Sequence, residues 1–405
     1  MTGLLLLALL AQDIPQSGTS FEQRGYIENR ALFYPQTAPN DRARVVDQAA
    51  IRWEASYKFA PWLKLNTTLD ARADTHRQVD RDARLDVDDR SIQRPALSLR
   101  ELNATIHKGK ITAQLGRQII RWGKTDILTP TDRFAPKDYL SSVVDSDFLG
   151  VTAVRLTIAG ARDSLDAVYQ PWFTPSRTPL LNQRWTVLPP ELDGVTVVDA
   201  GARYPGRGQY GLRWNHNSSG YEYSLSYFDG LNNLPLFDAN FDPATSTARA
   251  QRFYPNMRMY GADAAIPLPW VTVKGEAGYF TTTTPGAQDY FLYVIQLERQ
   301  IKEWSLVGGY AGTGGPGNRL SFTPDRGFAK SFVGRAALTI DVNRSLTLET
   351  AVRSAGSFVR LEYSQTIGQH WRVTPGIAWI RGDMLDFLGQ YHRNSYATFA
   401  VRYSF

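Results

Sequence analysis

Apolar and polar residues alternate with a period of two along most of this chain. The pattern is clear in the final segment, where Ala397, Phe399, Val401, Tyr403 and Phe405 are apolar and the residues between them are small or polar. A period of two places the two sets on opposite faces of a β-strand. The same alternation recurs from residue 20 onwards, which predicts an all-β chain.

Eighteen segments follow this pattern. The predicted strands are 20–34, 44–59, 62–75, 93–107, 110–122, 149–160, 163–173, 207–216, 220–230, 252–267, 270–283, 288–301, 304–313, 328–340, 344–354, 357–367, 370–381 and 391–405. Every second connection is a tight turn, and most of the others are long: 76–92, 123–148, 174–206, 231–251 and 314–327. This arrangement is typical of a transmembrane antiparallel up-and-down β-barrel. A merged or missed strand would make the number 16 or 20.

Charged residues share one face of the clearest strands, as where Arg52 and Glu54 alternate with Ile51 and Trp53. A charge that faces hydrocarbon costs about 2–4 kcal/mol at mid-bilayer, so this face is predicted to line the lumen. The candidate pore-lining residues are Arg52, Glu54, Lys64, Arg117, Arg121, Arg155, Arg213, Arg335, Glu349, Arg353, Arg360, Glu362 and Arg402. Their basic excess favours anionic or zwitterionic solutes. Alternatively, these charges pair across strands and brace the wall.

Composition excludes several other classes of protein. Beyond the first dozen of its 405 residues the chain has no apolar run of the length that a membrane-spanning helix needs. The absence of cysteine excludes disulfides and thiol nucleophiles. The net charge of +6 is spread over alternate strand positions and forms no basic run, so a nucleic-acid partner is not expected.

The first residues differ from the rest. Leu4 to Leu10 form a short apolar run that is followed by Ala11, which predicts a signal peptide over residues 1–11 and a single barrel domain over 12–405. Met1-Thr2-Gly3 lacks the usual Lys or Arg before the apolar run. The alternative interpretation is a short buried helix.

Tryptophans recur near the predicted strand ends. They are Trp53, Trp62, Trp122, Trp214, Trp270, Trp304, Trp371 and Trp379. Rings with an apolar body and a polar tip favour the membrane interface. The sequence therefore predicts aromatic girdles around the barrel.

The segment from Leu115 to Tyr139 has the most distinctive sequence in the chain. Gly116 allows a bulge that would turn Arg117 and Arg121 inward and Trp122 outward to the upper girdle. The loop that follows is predicted to fold into the lumen as a constriction, with candidate residues Asp126, Asp132, Arg133, Lys137 and Asp138 and further charges at Asp145 and Asp147. Alternatively, this loop caps the barrel from outside, and its Asp and Pro residues serve turn geometry alone.

Two resemblances support a location in the outer membrane. The Gly-Arg-Gln strand that runs into Trp-Gly and then Pro-x-Asp turns resembles a motif of an uncharacterised family of porin-like proteobacterial outer-membrane proteins. The strand that ends on Phe405 resembles the closing strand of Gram-negative outer-membrane proteins. The resemblances imply the outer-membrane lipid and the barrel-assembly machinery as partners and say little about the solute.

Catalytic chemistry has little support in the sequence. The five histidines, at 76, 107, 216, 370 and 392, form no metal-spacing pair, and no phosphate loop is present. We expect no catalytic residue, cofactor or metal. We expect a channel for passive diffusion of small solutes, with a homotrimer or a periplasmic partner as the candidate assemblies. An export or envelope-assembly barrel and an outer-membrane enzyme or surface-binding barrel remain as alternatives.

Overall fold

The computed structural model describes residues 19–126, 128–188, 190–315 and 323–405, and these form a wall of eighteen strands. The strands are β1 Ser20–Phe33, β2 Val45–Ala60, β3 Leu63–Asp74, β4 Leu97–Lys108, β5 Ile111–Gln118, β6 Val151–Ala159, β7 Asp163–Gln170, β8 Gln209–Ser218, β9 Tyr221–Leu231, β10 Asn256–Pro267, β11 Thr272–Thr281, β12 Tyr290–Ile301, β13 Trp304–Gly314, β14 Ser331–Asp341, β15 Arg344–Val352, β16 Gly356–Ile367, β17 Trp371–Gly382 and β18 Tyr396–Ser404. The predicted strand number is confirmed. The predicted signal peptide, 1–11, lies outside the described residues.

The wall closes on itself. Each strand pairs antiparallel with the next one in the chain, and β1 pairs antiparallel with β18, so that Glu28 lies opposite Arg402. The amide of Gly25 donates to the carbonyl of Phe405 at 2.9 Å, and the amide of Phe405 donates to Gly25 at 3.0 Å. Closure leaves the wall no free edge.

Short turns lie at one end of the barrel and long loops lie at the other. Lys302, Gly109 and Gly368 sit in three of the turns with positive φ angles of 51°, 60° and 64°. Residues with this left-handed backbone conformation let the chain reverse its direction over two or three positions. The long connections include 75–96, 119–150, 171–208 and 232–255.

The outer surface is apolar, and the inner surface carries charged residues that pair across neighbouring strands. Five of the predicted girdle residues are between 41% and 64% exposed on the outside: Trp62, Trp270, Trp304, Trp371 and Trp379. Inside, the register places Arg52 opposite Asp70 and Arg360 opposite Glu349. Within the described ranges, no helix is both long enough and apolar enough to cross a membrane.

The long loops contain a small sheet that the sequence did not predict. Thr196–Arg203 pairs in parallel with Thr247–Phe253, which pairs antiparallel with Leu236–Asp242. The parallel pair joins segments about fifty residues apart in different loops. Pairing over such a separation leaves no local periodicity that would reveal it.

Candidate functional site

One long connection, residues 119–150, enters the barrel, and we call it the lumen loop. Ile120, Trp122 and Phe134 are each at most 2% exposed. The indole nitrogen of Trp122 donates to Asp166 on the inner face of β7 at 2.9 Å. The expectation that Trp122 lies in the outer girdle is therefore wrong. Gly116 has a φ of 120° and β5 ends at Gln118, so strand alternation stops before Trp122.

The first half of the lumen loop packs against the wall from β6 to β13. An apolar cluster forms between the two, with loop and wall residues Ile120, Trp122, Leu128, Phe134, Val151, Ala153, Val168, Phe228, Met257, Met259, Phe280, Tyr290, Leu292, Val294, Ala311 and Ala329. Glycines on the wall allow this approach. A Cβ atom at Gly211 would lie 2.7 Å from both Trp122 and Phe134, and one at Gly261 would lie 2.8 Å from Thr131.

Glu276 on β11 fixes this half of the loop. Its carboxylate accepts backbone hydrogen bonds from Lys124 at 2.8 Å, Thr125 at 3.1 Å and Thr131 at 2.8 Å. It also accepts from the hydroxyls of Thr125 and Thr131, each at 2.8 Å. Glu276 is 2% exposed, and these five donors satisfy a carboxylate that would otherwise be costly to bury.

The second half of the loop crosses to the other side of the lumen. Asp138 is 2% exposed. Its carboxylate accepts a bidentate pair of hydrogen bonds from Arg94 at 2.7 and 3.0 Å and a third hydrogen bond from Arg177 at 3.2 Å. Burial alone would raise the pKa of Asp138, but Arg94 and Arg177 outweigh it and hold the pKa well below its usual range. Asp138 is therefore an anion at neutral pH.

Two more carboxylates attach the loop beyond Asp138. Asp145 lies 2.8 Å from Arg360 on β16, and Asp147 receives two hydrogen bonds from Arg100 on β4 at 2.8 and 2.9 Å. Glu276 on β11 lies across the barrel from Arg100 on β4 and Arg360 on β16, so the loop spans the lumen. On one side the loop packs against the wall through the apolar cluster. The other side, which we call the polar half, holds the charged residues beside a second apolar cluster that includes Val143 of the loop.

The polar half contains a cavity of about 520 Å³ between the lumen loop and the inner wall of β1 to β3 and β16 to β18. Seven arginines and six carboxylates line it: Arg30, Arg52, Arg72, Arg94, Arg360, Arg372, Arg402, Glu28, Asp74, Asp138, Asp145, Asp147 and Glu362. Most of these charges come from the wall, while Asp138, Asp145 and Asp147 come from the loop. We call this space the central cavity.

Pairing among these charges is uneven. Arg52 binds Asp70 at 2.7 Å and Arg402 binds Glu28 at 2.6 Å. In contrast, the guanidinium of Arg30 lies 3.8 Å from the carboxylate of Glu28, which is a longer contact. Among the described residues, Arg372 has no carboxylate within 4.0 Å, and the register places it directly opposite Arg402. The wall side of the cavity therefore carries cations that are only partly neutralised.

The predicted pore-lining residues occupy several environments. Arg52, Arg360, Glu362 and Arg402 line the central cavity. The others bind as follows: Glu54 with Arg24 at 2.6 Å, Arg121 with Asp132 at 3.2 Å, Arg155 with Asp166 at 2.8 Å, Arg213 with Asp263 at 2.9 Å, Arg335 with Glu349 at 3.5 Å and Arg353 with Asp386 at 3.0 Å. Arg117, 3% exposed, is held by Asp89 and the carbonyl of Leu99. Lys64 lies opposite Lys58 near a turn.

Of the candidate constriction residues, Asp138 lines the central cavity and the other four hold the loop in place. Asp126 accepts from Gln296, and Asp132 accepts from the amides of Trp122 and Gly123. Arg133 lies 3.7 Å from Asp325, and Lys137 lies over the ring of Phe148. The loop charges Asp145 and Asp147 also line the cavity, as the sequence predicted for this loop. The sequence analysis did not name the three loop serines that line it, Ser141, Ser142 and Ser146. The close spacing of these polar residues along the loop is the sequence signal that could have identified the serines.

Groupings typical of catalysis are few in the described part of the chain. His216 lies 2.8 Å from Asp163 at the turn end of the outer wall, and His107 lies 3.0 Å from the hydroxyl of Thr112. Within the described ranges, no three His, Asp or Glu side chains are grouped so that they could hold a metal ion.

Comparison with known proteins identifies the fold. No protein-family model and no curated protein matches the chain in sequence. OccAB3 of Acinetobacter baumannii matches in structure over 95% of this chain and 99% of its own, with 9% identity and a TM-score of 0.57. OccAB4 of the same species matches over 96% and 98%, with 10% identity and a TM-score of 0.55. At these identities the similarity establishes the closed barrel fold and no more.

Proposed function

We propose that this protein is an outer-membrane channel of a Gram-negative bacterium through which small anionic or zwitterionic solutes diffuse passively. The observation that carries the proposal is the central cavity, a polar space bounded by charged wall and loop residues inside a closed barrel. The apolar outer surface with exposed tryptophans suits a bilayer. A barrel of this size leaves room for an aqueous path beside the lumen loop.

The charges of the central cavity favour anions over cations. Arg372 and Arg30 are the least neutralised side chains on the wall side, and free cations in a confined space raise the local concentration of anions. On the loop side, Asp138 and Asp147 are held in place by arginines. A zwitterion could align its carboxylate with the wall and its cationic group with the loop.

The test is the reversal potential of the folded protein in a planar bilayer under a salt gradient. The wild-type channel should prefer anions, and Arg372→Gln should shift the reversal potential towards cations. Arg344→Gln is the matched control, because Arg344 lies at a turn and pairs with Asp341 at 2.6 Å, away from the central cavity. Absence of current from folded protein would contradict the channel, and steady cation preference would contradict the role of the wall arginines.

A further inference from the structure

The outward face of β10 carries an ordered series of side chains. Met257 and Met259 face inward, because both belong to the apolar cluster between the wall and the lumen loop. The alternate positions therefore face outward. From the middle of the wall towards the loops, these positions hold Ala264, Ala262, Tyr260, Arg258 and Asn256. The outward face thus changes from small apolar residues to an aromatic ring, then to a cation and then to a neutral amide.

The cation in this series is one of two that share a covered carboxylate. Asp229 on β9 lies directly opposite Arg258 and accepts a hydrogen bond from its Nε atom at 2.9 Å. Arg207, which precedes β8, donates to the other carboxylate oxygen at 2.8 Å. The side chain of Asp229 is 7% exposed, whereas those of Arg258 and Arg207 are 59% and 46% exposed. We call Arg207 and Arg258 the arginine pair.

The arginine pair carries more positive charge than its carboxylate neutralises. Two guanidinium groups share one carboxylate, which leaves one positive charge unbalanced. Among the residues that the structure describes, neither Nη group of Arg258 has a hydrogen-bond acceptor. Asp229 holds the two guanidinium groups in place, which lowers the entropy lost when both bind one anion. Planar guanidinium groups match the oxygens of a phosphate, with which they form paired charge-assisted hydrogen bonds.

Aromatic rings place the arginine pair at the level of lipid head groups. Tyr227 and Tyr260 lie one outward position closer to the middle of the wall than Asp229 and Arg258, and their ring centroids are 5.4 Å apart. Tyr279 lies on the other side of Tyr260. Tyrosines in such positions mark the boundary between hydrocarbon and head groups. Since a strand rises about 3.4 Å per residue, Arg258 lies about 7 Å along the strand beyond this boundary.

Neutral polar groups lie beyond the arginine pair. The side chain of Asn256 accepts hydrogen bonds from the hydroxyls of Thr282 at 3.0 Å and Thr284 at 2.9 Å, and its amide donates to Thr283 at 2.6 Å. Amide and hydroxyl groups both donate and accept hydrogen bonds, as the hydroxyls of a sugar do. A head group that extends outward from the arginine pair would therefore meet hydrogen-bonding groups of its own kind.

We infer that the arginine pair binds the phosphate of a phosphorylated glycolipid, an inference that rests on the proposed membrane location. The acyl chains of the lipid lie along Tyr260 and the small apolar residues of β10, and its sugar meets Asn256 and the neighbouring threonines. Each part of the lipid thus contacts side chains of matching polarity along one strand. Long loops of outer-membrane barrels face the outside of the cell, so the lipid belongs to the outer leaflet.

Native mass spectrometry of the folded wild-type protein in detergent tests this inference. The probes are bis-phosphorylated lipid A, which is a glucosamine glycolipid, and the same lipid after removal of both phosphates. One phosphorylated lipid should stay bound to each chain. Removal of the phosphates should lower the bound fraction at least about tenfold, because the paired charge-assisted hydrogen bonds are lost. This comparison uses the unaltered protein, so misfolding of a variant cannot cause the difference.

A substitution and its matched control locate the binding site. Arg258→Gln should lower the bound fraction of the phosphorylated lipid at least about tenfold. Arg344→Gln should leave it unchanged, because Arg344 is also half-exposed and paired with an aspartate, Asp341, but lies at a turn at the opposite end of the wall. Equal binding by Arg258→Gln and the wild type, or equal binding of the two lipids, would overturn the inference.

Two further outcomes would assign the arginine pair to a different ligand. Displacement of the lipid by an equimolar amount of inorganic phosphate would overturn the lipid in favour of the free ion. A doubled chain mass that Arg258→Gln abolishes would overturn it in favour of a contact between two copies. Current through the folded protein in bilayers of phosphatidylcholine alone tests the proposed channel separately, so failure of one proposal is distinguishable from failure of the other.

Discussion

Glu276 on the barrel wall accepts hydrogen bonds from both the amide and the hydroxyl of Thr131 in the lumen loop, each at 2.8 Å. Thr125 repeats this double contact on the other carboxylate oxygen, at 3.1 Å from its amide and 2.8 Å from its hydroxyl. One buried side chain thus defines where the loop leaves the wall and crosses the lumen. The attachment holds the first half of the loop against the wall.

Replacing Glu276 should therefore release the first half of the loop. Hydrogen bonds to a charged group contribute about 1.5–3 kcal/mol each, so Glu276→Ala should raise both single-channel conductance and current noise. Glu303→Ala is the control, because Glu303 is exposed at a turn far from the loop. A variant with wild-type conductance and noise would show that other contacts suffice to hold the loop.

The glycines beneath the loop should not tolerate a side chain. A Cβ at Gly211 would meet Trp122 and Phe134 at 2.7 Å, and overpacking of this kind costs about 1–3 kcal/mol. Gly211→Ala should therefore lower the unfolding temperature in detergent.

Gly308 provides the matched control for Gly211. It is also in a strand, but a Cβ there would meet no atom within 4 Å. Gly308→Ala should leave the unfolding temperature unchanged or raise it, because glycine in a strand interior is entropically unfavourable. Equal effects of the two substitutions would contradict the close contact of loop and wall.

Removing an acid from the loop should strengthen anion preference. Asp145 pairs with Arg360 at 2.8 Å beside the central cavity, and Asp145→Asn would leave Arg360 with its wall partners, among them Glu349 at 2.6 Å. The reversal potential should shift towards anions, opposite to the shift expected for Arg372→Gln. Asp341→Asn, at a turn, should cause no shift, and a shift of the same sign for Asp145→Asn and Arg372→Gln would contradict the assignment of charges to the cavity.

The ion pairs of the loop should persist in mild acid. The pKa of Asp138 in the folded protein is lowered, whereas an unfolded Asp titrates near about 3.9. Its contribution to the free energy of unfolding is therefore complete above about pH 4 and is lost only as the pH falls further, through the folded pKa. Conductance should be constant between pH 7 and pH 5.

Asp138→Asn tests the same pair through stability. The variant should unfold more readily than the wild type at pH 7, because partly buried Arg94 would lose its carboxylate partner and buried Arg177 would keep only Asp89. The difference in unfolding free energy should shrink only below about pH 4. A difference that disappears already at pH 6 would show that another group controls the contact.

The strands of the wall were predictable because the alternation of apolar and polar residues within each strand shows which residues face outward and which face inward. Ile51 and Arg52 are neighbours in sequence and lie on opposite sides of the wall, which a period of two requires. The turns were predictable for a related reason, since short reversals need particular residues such as Gly109 and Gly368.

The interior was less predictable because it depends on contacts across the lumen. Nothing local marks Glu276 as the anchor of Thr125 and Thr131, which are some 150 residues away. Trp122 looked like a girdle residue because the strand pattern was continued past Gln118, where the chain leaves the wall. Tertiary contacts between the loop and the wall determine which half of the loop lines the cavity. No local sequence pattern shows these contacts.

The seam between β1 and β18 has a consequence for how the protein folds. The hydrogen bond from Arg402 to Glu28 joins residues 374 positions apart, a separation that makes contact formation slow and entropically costly. Until Tyr396–Ser404 has been synthesised, β1 has no partner on one side, and the incomplete wall exposes two edges that could pair with other chains. Assembly therefore has to keep the first strand accessible and protected until the last one arrives.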